Sequence, residues 1–341
     1  MVTNASILGC SGKVLSREEK AFFADIAPWG FILFARNIES PDQVRRLVDD
    51  LRATVDRPDA PVLIDQEGGR VQRLGPPHWR RYPPSRAYGE LPANDLLLGR
   101  EIARLGARLL AHDLAGLGIN VDCLPVLDVP VEGAHAVIGD RAYARSPEGV
   151  AVLGRAACEG LIAGGVLPVI KHIPGHGRAM ADSHQALPVV DAPYEDLEAR
   201  DFAPFRMLSD MPMAMTAHVV YTAIDPKQPA TTSRKVLRQV IRGAIGFDGL
   251  VMSDDLSMKA LGGGFADRAR AALAAGCDVV LHCNGDMAEM KAVVSGTKTL
   301  SGRALRRARS ALARVARTPE PFDVHEARAR FDAAFEGRWA A

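Results

Sequence analysis

The chain has 341 residues, with 42 Lys and Arg against 41 Asp and Glu, and 48% of its side chains are hydrophobic. That length suits one large α/β barrel or two ordinary domains, and the apolar content excludes disorder as the dominant state. A net charge of +1 supplies no field to draw nucleic acid or an anionic membrane, and five scattered cysteines without a CxxC pair suggest neither a disulfide framework nor a zinc ribbon.

The first sixteen residues, MVTNASILGCSGKVLS, lack the basic and long apolar regions of a secretory leader. The Leu8-Gly9-Cys10 triplet therefore reads as part of a first strand, 5–8, and not as a lipid-attachment site. A second apolar run follows at 31–34. Ser40-Pro41 is an N-cap with proline in the first helical position, which starts a helix over 41–54. A strand at 62–64 precedes a helix over 95–116, where Ile102, Leu105 and Leu109 recur near a 3.6-residue period. Strand 119–122 leads to a helix over 147–163, again opened by Ser-Pro. Strands at 167–170 and 214–217, a helix at 234–242, a strand at 250–252, a helix over 265–275 ending at Gly276, and a strand at 278–281 complete the series.

These strands are short and apolar throughout, as strands buried on both faces are. Eight of them, most followed by a helix, imply a (β/α)8 barrel occupying 1–341 as a single domain. Residues 300–341 are expected as helices packed on the barrel, and Leu305, Ala308, Leu312 and Val315 share one helical face. No segment is apolar over the ~20 residues a membrane span needs, so the expectation is a cytoplasmic monomer without nucleic-acid or membrane partners.

Polar residues cluster after three of the strands. Asp65-Gln66-Glu67-Gly68-Gly69-Arg70 follows the third, and Lys171-His172-Ile173-Pro174-Gly175-His176-Gly177 with Asp182-Ser183-His184 follows the fifth. Ser253-Asp254-Asp255 follows the seventh. In a barrel these ends share one face, so three clusters there point to a site. Alternation along a strand lets only one of Asp254 and Asp255 face the mouth. That carboxylate could serve as nucleophile, metal ligand or helix cap. His172 and His176 have the i,i+4 spacing of a zinc helix, but Pro174, Gly175 and Gly177 break any helix there, which leaves only a loop-built zinc site as the metal reading. Asp182 and His184, two apart in an extended loop, read as a carboxylate–imidazole dyad for proton transfer near neutral pH. No glycine pattern matches a nucleotide loop.

Taken together, the Lys171–Gly177 and Asp182–His184 motifs, Ile64–Val71 and Ser253–Met258 resemble the glycoside hydrolase family 3 β-N-acetylhexosaminidases of the bacterial, cytoplasmic, peptidoglycan-recycling type. Ile173 stands where that family commonly has Phe, an apolar-for-apolar change. The resemblance implies Asp254 as the nucleophile of a covalent glycosyl-enzyme, His184 as general acid/base and Asp182 as its partner. It further implies that Asp65, Arg73, Arg141, Lys171 and His172 hold the sugar, while His176 has no assigned contact. The implied activity is retaining release of terminal N-acetylglucosamine from anhydro-muramoyl peptides, without metal or cofactor. The alternatives are a β-N-acetylglucosaminide phosphorylase and a metal-dependent barrel hydrolase. A sugar-binding protein without catalysis would need neither Asp254 nor His184.

Overall fold

The computed structural model describes residues 3–91, 95–181, 183, 186–315 and 318–338. All eight apolar runs form strands: β1 (Asn4–Gly9), β2 (Pro28–Leu33), β3 (Val62–Ile64), β4 (Val121–Asp122), β5 (Leu167–Ile173), β6 (Met213–Thr216), β7 (Leu250–Asp255) and β8 (Val279–His282). Each pairs in parallel with its neighbours in chain order, and β8 returns to β1 with Ile7 opposite Leu281, so the barrel closes. Closure leaves no sheet edge and buries both faces of every strand, which is why the sequence shows apolar runs instead of alternation.

Two strands reach further than their apolar residues. β5 continues through Lys171 and His172, pairing Lys171 with Met215 and Ile173 with Thr216 on β6. The segment after β4 also lies against it, with Leu127 N–H donating to Lys171 O at 2.7 Å. β7 likewise carries Ser253, Asp254 and Asp255 within the strand. Lys171, His172 and Asp254 therefore stand on barrel strands and not on loops. β2, by contrast, starts at Pro28, three residues before its expected beginning, and ends before Phe34.

The helices form the outer layer. Pro41–Val55, Pro147–Ala163 and Phe265–Ala275 match their sequence signals, and Ser40 and Ser146 each accept a hydrogen bond from the third residue beyond. The helix at Val236–Ala244 begins later than expected and is wound wide, so that Ile245 N–H reaches Val240 O at 2.8 Å. Helix Arg17–Ile26 was not anticipated, although Ser16 and Glu19 form a complete capping box. Toward the C-terminus, Gly302–Leu312 buries Ala308 and Ala311, and Val324–Ala334 inserts Phe331 against Tyr82 and Tyr88. Among the described residues no helix is long and apolar enough to cross a membrane.

Leu96–Ala115 and Pro147–Ala163 pack closely because Gly160 sits at their crossing. A Cβ there would lie 2.2 Å from Arg104 O, a backbone atom that cannot swing away. Helix propensity favours alanine over glycine by about 1 kcal/mol, but overpacking costs about 1–3 kcal/mol, so the clash wins. Gly160→Ala is expected to lower the denaturant midpoint without changing its slope; a raised midpoint would mean that the helices separate freely.

Candidate active site

At the C-terminal mouth of the barrel lies a cavity walled by Asp65, Arg73, Arg141, Lys171, His172 and Asp254, with Glu67, His176, Ser183 and Asp255 also on its surface. All three sequence clusters thus meet on one face. Asp182 and His184 lie outside the described residues; Ser183, between them, is buried and its carbonyl accepts Ala260 N–H.

A ribbon just beyond β3 sets the first wall. Gln66–Gly68 pairs antiparallel with Val71–Gln72. Gln66 Oε1 accepts the backbone N–H groups of Arg73 and Leu74, both at 2.9 Å, turning the chain back so that Arg73 meets Asp65. The Arg73 guanidinium donates to Asp65 Oδ2 at 3.0 Å and lies over the Phe34 ring, 5.0 Å from its centre. From β5, Lys171 Nζ bridges Asp65 Oδ1 at 3.0 Å and Glu67 Oε1 at 2.7 Å. Arg141 closes the row with a two-pronged pair to Glu67, both contacts 2.8 Å.

Alternating charges in the order Arg73, Asp65, Lys171, Glu67, Arg141 result, three cations against two anions. Burial opposes ionisation of Asp65, but Lys171 and then Arg73 outweigh it and hold its pKa below the ordinary carboxylate value. Glu67 is pulled down to about 2, Arg141 and Lys171 overcoming its burial. Lys171 is raised despite burial because two carboxylates flank it. Asp122, beneath them, goes the other way. Its Oδ1 accepts Gln66 N–H at 3.0 Å, but burial dominates and raises its pKa well above the ordinary value.

The second wall is β7. Both Asp254 and Asp255 line the cavity, against the expectation that only one would. Pairing with β8 shifts register between Met252 and Asp255, which breaks the strict alternation. The two carboxylates differ in employment. Asp255 accepts Ser257 N–H at 3.0 Å and Cys283 N–H at 3.2 Å, so it takes the capping role at this turn. Asp254 accepts Asp255 N–H at 2.8 Å while facing the cavity.

Sequence reasoning missed three side chains. Glu67, quoted within its motif but given no role, links Lys171 to Arg141 in the charge row. Asp128, just past β4, accepts from His172. His218, just past β6, is wholly buried: its Nε2–H donates to Asp255 O at 3.0 Å, and its Nδ1 lies 2.7 Å from the Thr231 hydroxyl. Each follows the end of a barrel strand, the positional signal already used for Asp65. His176 lies edge-on to His172 at 5.7 Å, and burial lowers it to about 4. Its neighbour Gly177 has no alternative, since a Cβ there would be 2.0 Å from Val129 O. Among the described residues no three His, Cys, Asp or Glu side chains gather to hold a metal ion.

Comparison with known proteins agrees with this geometry. Residues 8–318 match the model of the glycosyl hydrolase family 3 N-terminal domain. The chain is 43% identical over 277 residues to a β-hexosaminidase of Methylococcus capsulatus, covering 80% of each protein. It is 41% identical over 281 residues to the β-hexosaminidase of Pseudomonas aeruginosa, covering 82% of each. The structure of NagZ from Neisseria gonorrhoeae in complex with N-trifluoroacetyl-D-glucosamine superposes with a TM-score of 0.85 at 34% identity, over 100% of this chain and 98% of that one. With a closed barrel, a charged cavity at its mouth and these relatives, the chain belongs to glycoside hydrolase family 3 and is a glycosidase of the β-hexosaminidase type.

Proposed function

We propose that this enzyme removes terminal N-acetylglucosamine from peptidoglycan fragments of the anhydro-muramoyl peptide kind. In this reading it works in the cytoplasm as a monomer and with retention of configuration. Residues 1–341 act as one catalytic unit without metal or cofactor. The observation that carries the reading is Asp254 on the cavity wall with the charge row from Arg73 to Arg141 around the same cavity. Fixed cations and carboxylates at hydrogen-bonding distance suit a sugar ring, whose hydroxyls both donate and accept. Asp65, Arg73, Arg141, Lys171 and His172 take that binding role.

The reaction then proceeds in two displacements. The imidazolium of His184, oriented by Asp182, protonates the leaving oxygen while Asp254 attacks the anomeric carbon. Neutral His184 next removes a proton from water, which displaces Asp254 from that carbon. Two inversions restore the original configuration. His176 and His218 are unsuited to the acid role, because burial lowers both and favours their neutral forms.

Nitrophenyl β-N-acetylglucosaminide and β-glucoside, assayed in parallel in buffer free of phosphate and metal, test the substrate. Turnover of the acetamido sugar alone is expected. A requirement for added phosphate would instead establish a phosphorylase, and loss in chelator restored by zinc would establish the metal-dependent alternative.

Asp254→Ala is expected to lower kcat by roughly 10,000-fold or more. His184→Ala should cost about 100- to 10,000-fold on substrates with poor leaving groups. On the nitrophenyl sugar, whose departure needs little protonation, the loss should be far smaller. The wild-type alkaline limb, where the imidazolium is lost, should be absent in that variant; its survival would assign the acid to another residue.

The charge row has its own test. Lys171→Met leaves Asp65 and Glu67 without their shared cation, and breaking a buried pair costs about 3–5 kcal/mol. In the wild type, the lowered carboxylate pKa values give stability that is complete above about pH 5 and is lost as pH falls towards 2. In the variant Asp65 keeps Arg73 and Glu67 keeps Arg141, but both lose the lysine and their pKa values rise, so less stability is lost when they are protonated. The stability deficit measured in denaturant should therefore shrink as pH falls below about 5; a deficit constant with pH would mean that Arg73 and Arg141 alone hold the two carboxyls down.

A further inference from the structure

Asp128 has no exposed surface and sits on the segment that leaves β4 along the end of β5. Its two oxygens are fully engaged by one short stretch of chain. Oδ1 accepts the backbone N–H groups of His172 at 3.1 Å and His176 at 2.7 Å, and Oδ2 lies 2.7 Å from His172 Nδ1. Burial alone would raise this carboxyl, but His172 and then His176 outweigh it and hold its pKa below the ordinary value. An ionised carboxylate can only accept. His172 must therefore carry its hydrogen on Nδ1, and Nε2 is the ring nitrogen left for the cavity that His172 lines.

We propose that Asp128 is a positioning residue for the glycosidase reaction, fixing the ring orientation and proton placement of His172 while it anchors the start of the loop that follows β5. The inference rests on the sugar-binding role given to His172 above. It explains why a carboxylate, and not a neutral acceptor, stands at this position. Backbone donors alone would be satisfied by an amide oxygen, but only a second accepting oxygen compels the Nδ1–H form. Asparagine would keep the two backbone bonds and present an NH2 to His172 Nδ1, which inverts the tautomer without emptying the space.

A double-mutant cycle on kcat/KM with the nitrophenyl acetamido sugar tests this, each variant checked for an unchanged fold by circular dichroism. Asp128→Asn should lose about 10- to 100-fold, the scale seen when a carboxylate that orients a metal-bound histidine is replaced. In a His172→Ala background the same change should cost no more than about twofold. Losses that multiply would give Asp128 a merely structural role and overturn the proposal. A silent His172→Ala would overturn it as well by removing the histidine from the sugar site; the glycosidase reading is judged separately through Asp254→Ala. Should Asp128→Asn fail to fold, ring ¹⁵N shifts of the wild-type protein decide, with the His172 signals assigned by their loss in His172→Gln. A hydrogen on Nδ1 supports the proposal, and an unprotonated Nδ1 overturns it.

Discussion

One ammonium group joins the two halves of the charge row at the barrel mouth. Lys171 Nζ reaches Asp65 and Glu67 together, and those carboxylates in turn hold Arg73 and Arg141. The side chains come from β5, from the ribbon beyond β3 and from the Gly139–Arg141 turn, so a single buried cation ties three separate stretches of chain. Removing charged groups from water is costly unless each finds a partner, and here every carboxylate has two cations while Lys171 has two carboxylates. The row is therefore rigid for the same reason that it is stable.

The barrel's strand pattern follows from this. A lysine and a histidine inside β5 contradict the apolar rule for a strand buried on both faces. They are tolerated because Asp65, Glu67 and Asp128 satisfy them where they stand. The strand continues, pairing with β6 as far as Ile173. Loops are adaptable supports, whereas a paired strand fixes its side chains through its neighbours. Carrying Lys171, His172 and Asp254 on strands gives the site that fixity.

The same logic limits what the amino-acid sequence reveals. All eight strands were legible because both-face burial writes itself as short apolar runs, and the helices opened by Ser-Pro were legible from their caps. The ends of β5 and β7 were not, because polar residues normally signal that a strand has stopped. Only tertiary partners decide otherwise. Asp65, Arg73, Arg141, Lys171, His172 and Asp254 do line one cavity. Glu67 and Asp128 were missed as partners since their significance lies in contacts with Arg141 and His172, 74 and 44 residues away. The alternation rule failed at Asp254 and Asp255 because a register shift cannot be read from residue type.

Burial acts on many ionisable groups around this mouth, yet with opposite outcomes. Asp65, Glu67 and Asp128 face cations or imidazole N–H donors and are driven towards the charged form; Asp122, with one backbone donor and two carboxylates nearby, is driven towards the neutral form. His176 and His218 are pushed towards neutrality as well. Around the cavity, then, burial sets the neutral form only where no opposite charge outweighs it. Asp201 follows the same rule, its carboxyl raised to about 6 by burial that its Arg178 partner does not fully offset. It lies behind the loop that follows β5, close to Gly175, and away from the charge row. The sign of each shift thus follows the partners a buried group meets, and not burial alone, which is common to them all.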